Sequence, residues 1–100
     1  MKVSFHPKAE EEFYEAIEYY EECQDGLGLE FAKEVFATIE RIVNFSQAWS
    51  KICENIRRCL VNRFPYGIIY TIQNDEIIIL AVMHLNRKPK YWKERAKENI

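Results

Sequence analysis

The side chains able to hold an anion or move a proton gather in the second half of this 100-residue chain. Arg57 and Arg58 are adjacent. Arg63 opens the run Phe64-Pro65-Tyr66-Gly67, and His84, Arg87, Tyr91 and Trp92 follow a long apolar stretch. Guanidinium groups balance anionic charge, and an imidazole exchanges a proton near neutral pH. Each residue also has a structural reading. His84 ends an apolar segment, where a histidine often hydrogen-bonds to backbone. One of Arg57 and Arg58 could pair with acidic helices. Arg87 could cap a strand end or pair with Glu94, while Tyr91 and Trp92 could pack a helix onto a sheet. The cysteines, Cys23, Cys53 and Cys59, are odd in number and include no CxxC pair. With only His6 and His84 beside them they offer no zinc spacing, so reduced thiols are expected, with no metal and no cofactor.

The elements that would position these residues follow from periodicity. Lys2–Phe5 alternates and reads as a short strand. Pro7 suits a first helical turn, and Ala9, Phe13, Ala16, Ile17 and Tyr20 recur at helical spacing up to about Cys23–Gly26. A second helix is expected from about Gly28 to Asn44 on the stripe Ala32, Val35, Phe36, Ile39, Ile42 and Val43. The short join makes the two an antiparallel hairpin. Phe45–Glu54, which holds Trp49, reads as irregular. Ile56–Val61, Ile68–Gln73 and Glu76–His84 read as strands, with a turn at Arg63–Gly67 and a tight hairpin at Asn74-Asp75. Six of the seven residues Ile77–Met83 are large aliphatics, so this strand should be covered on both faces. Arg87–Glu98 is expected to be a closing helix started by Pro89. The order β-α-α-β-β-β-α implies one α+β domain, a two-helix N-terminal hairpin on a mostly antiparallel sheet with a C-terminal helix.

Charge divides the chain. Residues 1–54 carry five Lys/Arg against twelve Asp/Glu, a net of −7, and residues 55–100 carry nine against four, a net of +5. An acidic first half disfavours a general nucleic-acid binder, since affinity there comes from neutralised phosphates. The run Ile77–Met83 is far short of the roughly 20 residues of a membrane span. The beginning MKVSFHPKAEEE has no apolar signal region. A cytoplasmic protein with no membrane partner is expected.

The combination Ile56-Arg57-Arg58-Cys59-Leu60, Arg63-Phe64-Pro65-Tyr66-Gly67-Ile68-Ile69-Tyr70, Ile77–Leu80 and His84-Leu85-Asn86-Arg87-Lys88-Pro89 with Tyr91-Trp92 resembles the RelE/ParE toxin superfamily. These are the toxins of type II toxin–antitoxin modules, plasmid-stabilisation proteins among them. The resemblance implies one of two poisons. RelE-like members cut messenger RNA on the ribosome, and ParE-like members inhibit DNA gyrase. RNA cleavage needs groups to take the 2′ proton, balance the phosphorane and protonate the leaving oxygen. RelE-like members place arginines at positions that correspond here to Gly67 and Leu85, both silent. A reduced ribonuclease set would be His84, Arg58, Arg87 and Tyr91.

The ParE-like reading asks only for a binding surface. Arg57, Arg58, Arg63, Arg87, Tyr91, Trp92 and the basic closing segment (Lys88, Lys90, Lys93, Arg95, Lys97) would supply it. A third reading is an inactive homologue that only binds antitoxin. The ParE-like reading is the expectation, with DNA gyrase as target and a cognate antitoxin as partner. The antitoxin segment is expected to be acidic, to fold on binding and to lie over Arg57, Arg58, Arg63 and Arg87.

Overall fold

His6 and Pro7 decide where the first helix begins. His6 is extended (φ −60°, ψ 140°), its Nδ1 accepts the Lys8 N–H at 3.1 Å, and Pro7 needs no partner for a missing N–H. The computed structural model describes residues 1–88 and 90–97. In it β1 (Lys2–Phe5) leads into α1 (Pro7–Cys23) and α2 (Leu27–Asn44). Four strands follow: β2 (Lys51–Cys53), β3 (Ile56–Leu60), β4 (Tyr66–Gln73) and β5 (Glu76–His84). A 3-10 turn, Lys93–Lys97, closes the described chain.

The helical hairpin is joined by its own chemistry. The Glu21 carboxylate near the end of α1 accepts the N–H groups of Gly26 (2.9 Å) and Gly28 (3.1 Å), placing an anion at the N-terminus of α2. Gly26 sits at φ +86°, the left-handed region that glycine enters without strain. Gly28 lets the helices touch, because a Cβ there would lie 2.7 Å from the Ile17 carbonyl oxygen.

The sheet order is β1-β5-β4-β3-β2. Among the described residues β1 and β5 run parallel, and the β5–β4, β4–β3 and β3–β2 neighbours are antiparallel. Asn74 and Asp75 both have positive φ (51° and 62°), the backbone a two-residue hairpin requires between right-twisted strands. The apolar β5 lies between β1 and β4 and is buried on both faces, as its composition implies. Ile77, Ile79 and Val82 join the core under the helices, with Phe13, Phe31 and Val35. Ile78, Leu80, Ala81 and Met83 form a second core with Trp92 on the other face. Fully burying a side chain such as Phe31 contributes about 1.5–3 kcal/mol. Among the described residues no helix is long and apolar enough to cross a membrane.

Three expectations are corrected. The stretch taken as irregular contains β2, tied down by the Tyr70 hydroxyl donating to Ser46 O (2.7 Å) and by Arg57 Nη1 donating to Trp49 O (2.7 Å). Tyr66 and Gly67 belong to β4 and not to the turn before it. The closing helix is not an α-helix over its described length: Lys90–Trp92 form turns and Lys93–Lys97 one 3-10 segment. Side-chain anchorage to the sheet, set out below, replaces the helical ladder there. The start at Pro89 and the end at Glu98 lie outside the described residues.

Candidate functional site

A bulge in β5 decides which residues can meet. Ile69 pairs with Ala81 and Tyr70 pairs with Ile79, so Leu80 is the extra residue and the side-chain alternation shifts by one. By plain alternation His84 would share a face with Ile78 and Leu80. The shift puts it on the helix face instead, where its ring meets Tyr66 edge-on at 5.1 Å. Its Nδ1 accepts the Asn86 N–H at 3.1 Å. Burial, with Tyr20, Tyr19 and Glu12 nearby, pushes the Tyr66 hydroxyl up to about 12, so it stays protonated.

Arg58 is on the other face. It pairs with Ile69, and its stem lies over Gly67: a Cβ at Gly67 would be 3.2 Å from Arg58 Cγ and 3.6 Å from Leu85 Cδ2. Gly67 and Leu85 therefore lie side by side, and the Arg58 stem brings its charge to them. Since β3 alternates, Arg57 points back to the helix side and is spent on Trp49 O. The pairing expected with acidic helices belongs to Arg63, which faces Glu30 at 3.0 Å and Glu34 at 3.7 Å from an exposed position.

The strongest polar cluster centres on a residue that sequence reasoning did not single out. β1 ends at Phe5, and His6 N–H gives the last bond to Ile79 O (2.8 Å). Beyond it side chains complete the open edge of β5. Glu12 Oε1 accepts the Val82 N–H (3.0 Å), and Arg95 Nη1 donates to Leu80 O (2.9 Å). The same carboxylate takes both Arg95 nitrogens, at 3.1 and 3.0 Å, and the Tyr91 hydroxyl at 2.8 Å. Burial and then the Glu12 carboxylate raise the Tyr91 hydroxyl well above its ordinary 10, so it is a fixed donor. Arg87 lies over the Tyr91 ring at 4.1 Å from its centre. Glu12 is one of seven glutamates in α1, and nothing in its spacing marks it out.

Trp92 and Arg95 correct the expected surface. Trp92 is 1% exposed and packs on the second core, and Arg95 is 8% exposed. Neither can serve as an accessible anchor. The segment Lys90–Lys97 is thus a strap fixed across the sheet, with Lys90, Lys93 and Lys97 outermost.

The outer edge of β3 is open past its first residues. β2 pairs with it only at Lys51–Arg57 and Cys53–Ile56, and the Arg58 N–H reaches Ser50 O at 3.0 Å. A cleft follows, lined by Trp49, Ser50, Leu60 and Asn62 between two arginines. Arg41, in the last turn of α2, donates to Thr38 Oγ1 (3.1 Å) and Leu60 O (3.3 Å) on one side, and Arg58 stands on the other. Arg41 also escaped the sequence reading. Its signal was a cation at a helix C-terminus, which the dipole alone would explain.

A family model described as the ParE toxin of the type II toxin–antitoxin system, parDE, matches residues 3–89. A solved chain titled "Chromosomal ParDE TA system from P. aeruginosa" superposes with a TM-score of 0.66. The two are 16% identical, and the match covers 86% of this chain and 97% of that one. At that identity the likeness is one of fold. No curated protein matches the sequence.

Proposed function

This chain belongs to the ParE toxin family of type II toxin–antitoxin systems, and we propose that it poisons by binding, with DNA gyrase as its target in the cytoplasm. One observation carries this reading over RNA cleavage. His84 and Arg58, the two groups a reduced ribonuclease would need together, project from opposite faces of the sheet. Tyr91 is committed to Glu12 and does not join either of them. A binding poison needs no such convergence, only a surface with fixed charge and apolar contact. Exposed Leu60, which pairs with Gly67, and Arg58 and exposed Leu85, which both lie beside Gly67, supply one.

A toxin of this family implies an antitoxin partner. Its seat is the open edge of β3, where an extended segment can add main-chain bonds while acidic side chains reach Arg58 on one face and Arg41 on the other. Arg57 is turned inward, and Arg63 is already engaged by Glu30 and Glu34. Arg87 lies over Tyr91 beside Glu11 and Glu15, toward the β5 side of the sheet, so the expected group of four arginines narrows to Arg58, with Arg41 added.

Induced expression in bacteria, with DNA and protein synthesis followed separately by pulse labelling, tests the target. DNA synthesis stopping first is the expected result, and protein synthesis stopping first favours the ribonuclease. For the antitoxin, Arg58→Ala should weaken a titration and reduce its salt dependence while leaving the toxin's fold intact. An affinity indifferent to both salt and Arg58→Ala counts against this seat.

A further inference from the structure

The fold sorts the charges that the sequence only divides into halves. The exposed glutamates of α1 (Glu10, Glu11, Glu15, Glu18 and Glu22) belong to the helical layer. On the far side of the sheet the strap presents Lys90, Lys93 and Lys97, with Lys88 on its approach. Arg58 rises from β3 on that same side. Lys93 and Lys97 overhang a cleft floored by Asn55, Thr71 and Gln73. Glu54 on the cleft's rim and Glu94 on the strap oppose this charge. The lysines are not a loose tail. Trp92 in the second core and Arg95 on Glu12 hold their backbone in place, so little ordering is left to a partner.

We propose that this face seats the phosphate backbone of duplex DNA, so that the toxin touches DNA as well as the enzyme it poisons. The choice of a duplex rests on the gyrase reading above. The chemistry is phosphate neutralisation without base readout, because among the described residues no helix or strand of this face projects side chains as a groove reader does and lysines contact phosphates. A net-acidic protein can do this only where its cations outnumber nearby carboxylates: Glu11 and Glu15 of α1 reach the strap at its Arg87 and Arg95 side, and Glu54 and Glu94 are the carboxylates set against Lys93 and Lys97 at the cleft.

The test is fluorescence anisotropy of a labelled duplex with the full-length chain across a salt series. Four engaged cations predict a slope of log Kobs against log salt of about −3.6, an affinity loss of about 150-fold between roughly 50 and 200 mM. Lys93→Glu with Lys97→Glu should flatten the slope by about 1.8. An equal change of net charge on the helical layer, Lys8→Glu with Lys33→Glu, should leave it nearly unchanged. Equal loss in both pairs, a flat salt response, or tighter binding of a single-stranded RNA of the same length would overturn the proposal. A supercoiling assay separates it from the gyrase reading. If the wild type and the Lys93→Glu/Lys97→Glu chain inhibit gyrase equally, the DNA contact is wrong and gyrase stands. If the wild type binds DNA with the expected slope and leaves supercoiling untouched, gyrase is wrong and the DNA face stands.

Discussion

Replacing Glu12 by Ala removes one carboxylate and strands four donors. Val82 N–H, Tyr91 O–H and two Arg95 nitrogens lose their acceptor, and Arg95 keeps only the Leu80 carbonyl. The ion pair is 10% exposed on the arginine side and 14% on the glutamate side, so solvent screens it little. The scale is that of a buried pair broken on one side, about 3–5 kcal/mol, and not the roughly 0–1 kcal/mol of a surface pair. A domain this size has about 5–15 kcal/mol of stability in all. At about 4–8 °C per kcal/mol, the melting temperature should fall by about 12–40 °C. Urea denaturation followed by circular dichroism would measure it for Glu12→Ala, Arg95→Met and the double variant. The double variant should cost clearly less than the two singles added, because the second change removes the charge that the first left uncompensated. A Glu12→Ala cost under about 1 kcal/mol, or singles that simply add, would refute the view that this carboxylate holds the strap.

Two further outcomes follow from local geometry. Gly28→Ala pushes a Cβ to 2.7 Å from the Ile17 carbonyl oxygen, a backbone atom that cannot swing aside. It should destabilise by about 1–3 kcal/mol in a thermal melt, where an unobstructed helical Gly→Ala would gain about 0.4–1 kcal/mol. Burial raises the Tyr66 and Tyr70 hydroxyls from 10 to about 12. The folded chain then keeps protons that the unfolded chain gives up, so this stability is fully present below pH 10 and lost as pH rises through about 12. Denaturation midpoints should fall over that window as tyrosinate absorbance grows, and Tyr66→Phe should flatten the fall; a midpoint indifferent to pH there would contradict the burial.

Local pattern was a good guide wherever one face of an element was read against water. The α1 stripe, the two-sided β5 and the Asn74-Asp75 hairpin came from spacing and composition, as did the α2 stripe except that Phe36 is exposed and Phe31 fills the core instead. The family signature, too, was legible between Ile56 and Trp92. β2 was missed because it is three residues long and pairs with β3 at only two positions, while the segment leading into it is anchored by Tyr70 and Arg57 from elsewhere in the chain. The strap was expected to be a helix because Pro89 suits a first helical turn. In the fold, Trp92 and Arg95 are drawn to the sheet and to Glu12, and these contacts outweigh helix propensity over so short a segment.

By itself the sequence determined which residues carry charge, that Arg57 and Arg58 must face opposite ways, and that β5 must be covered on both sides. Those properties depend on residue type and on a period of two. Only the tertiary structure decided which arginine reaches the surface, which of seven glutamates turns to the sheet edge and Arg95, and that His84 and Arg58 are separated by the sheet. The last rests on one extra residue at Leu80, since a single inserted residue in a strand exchanges the faces of everything beyond it.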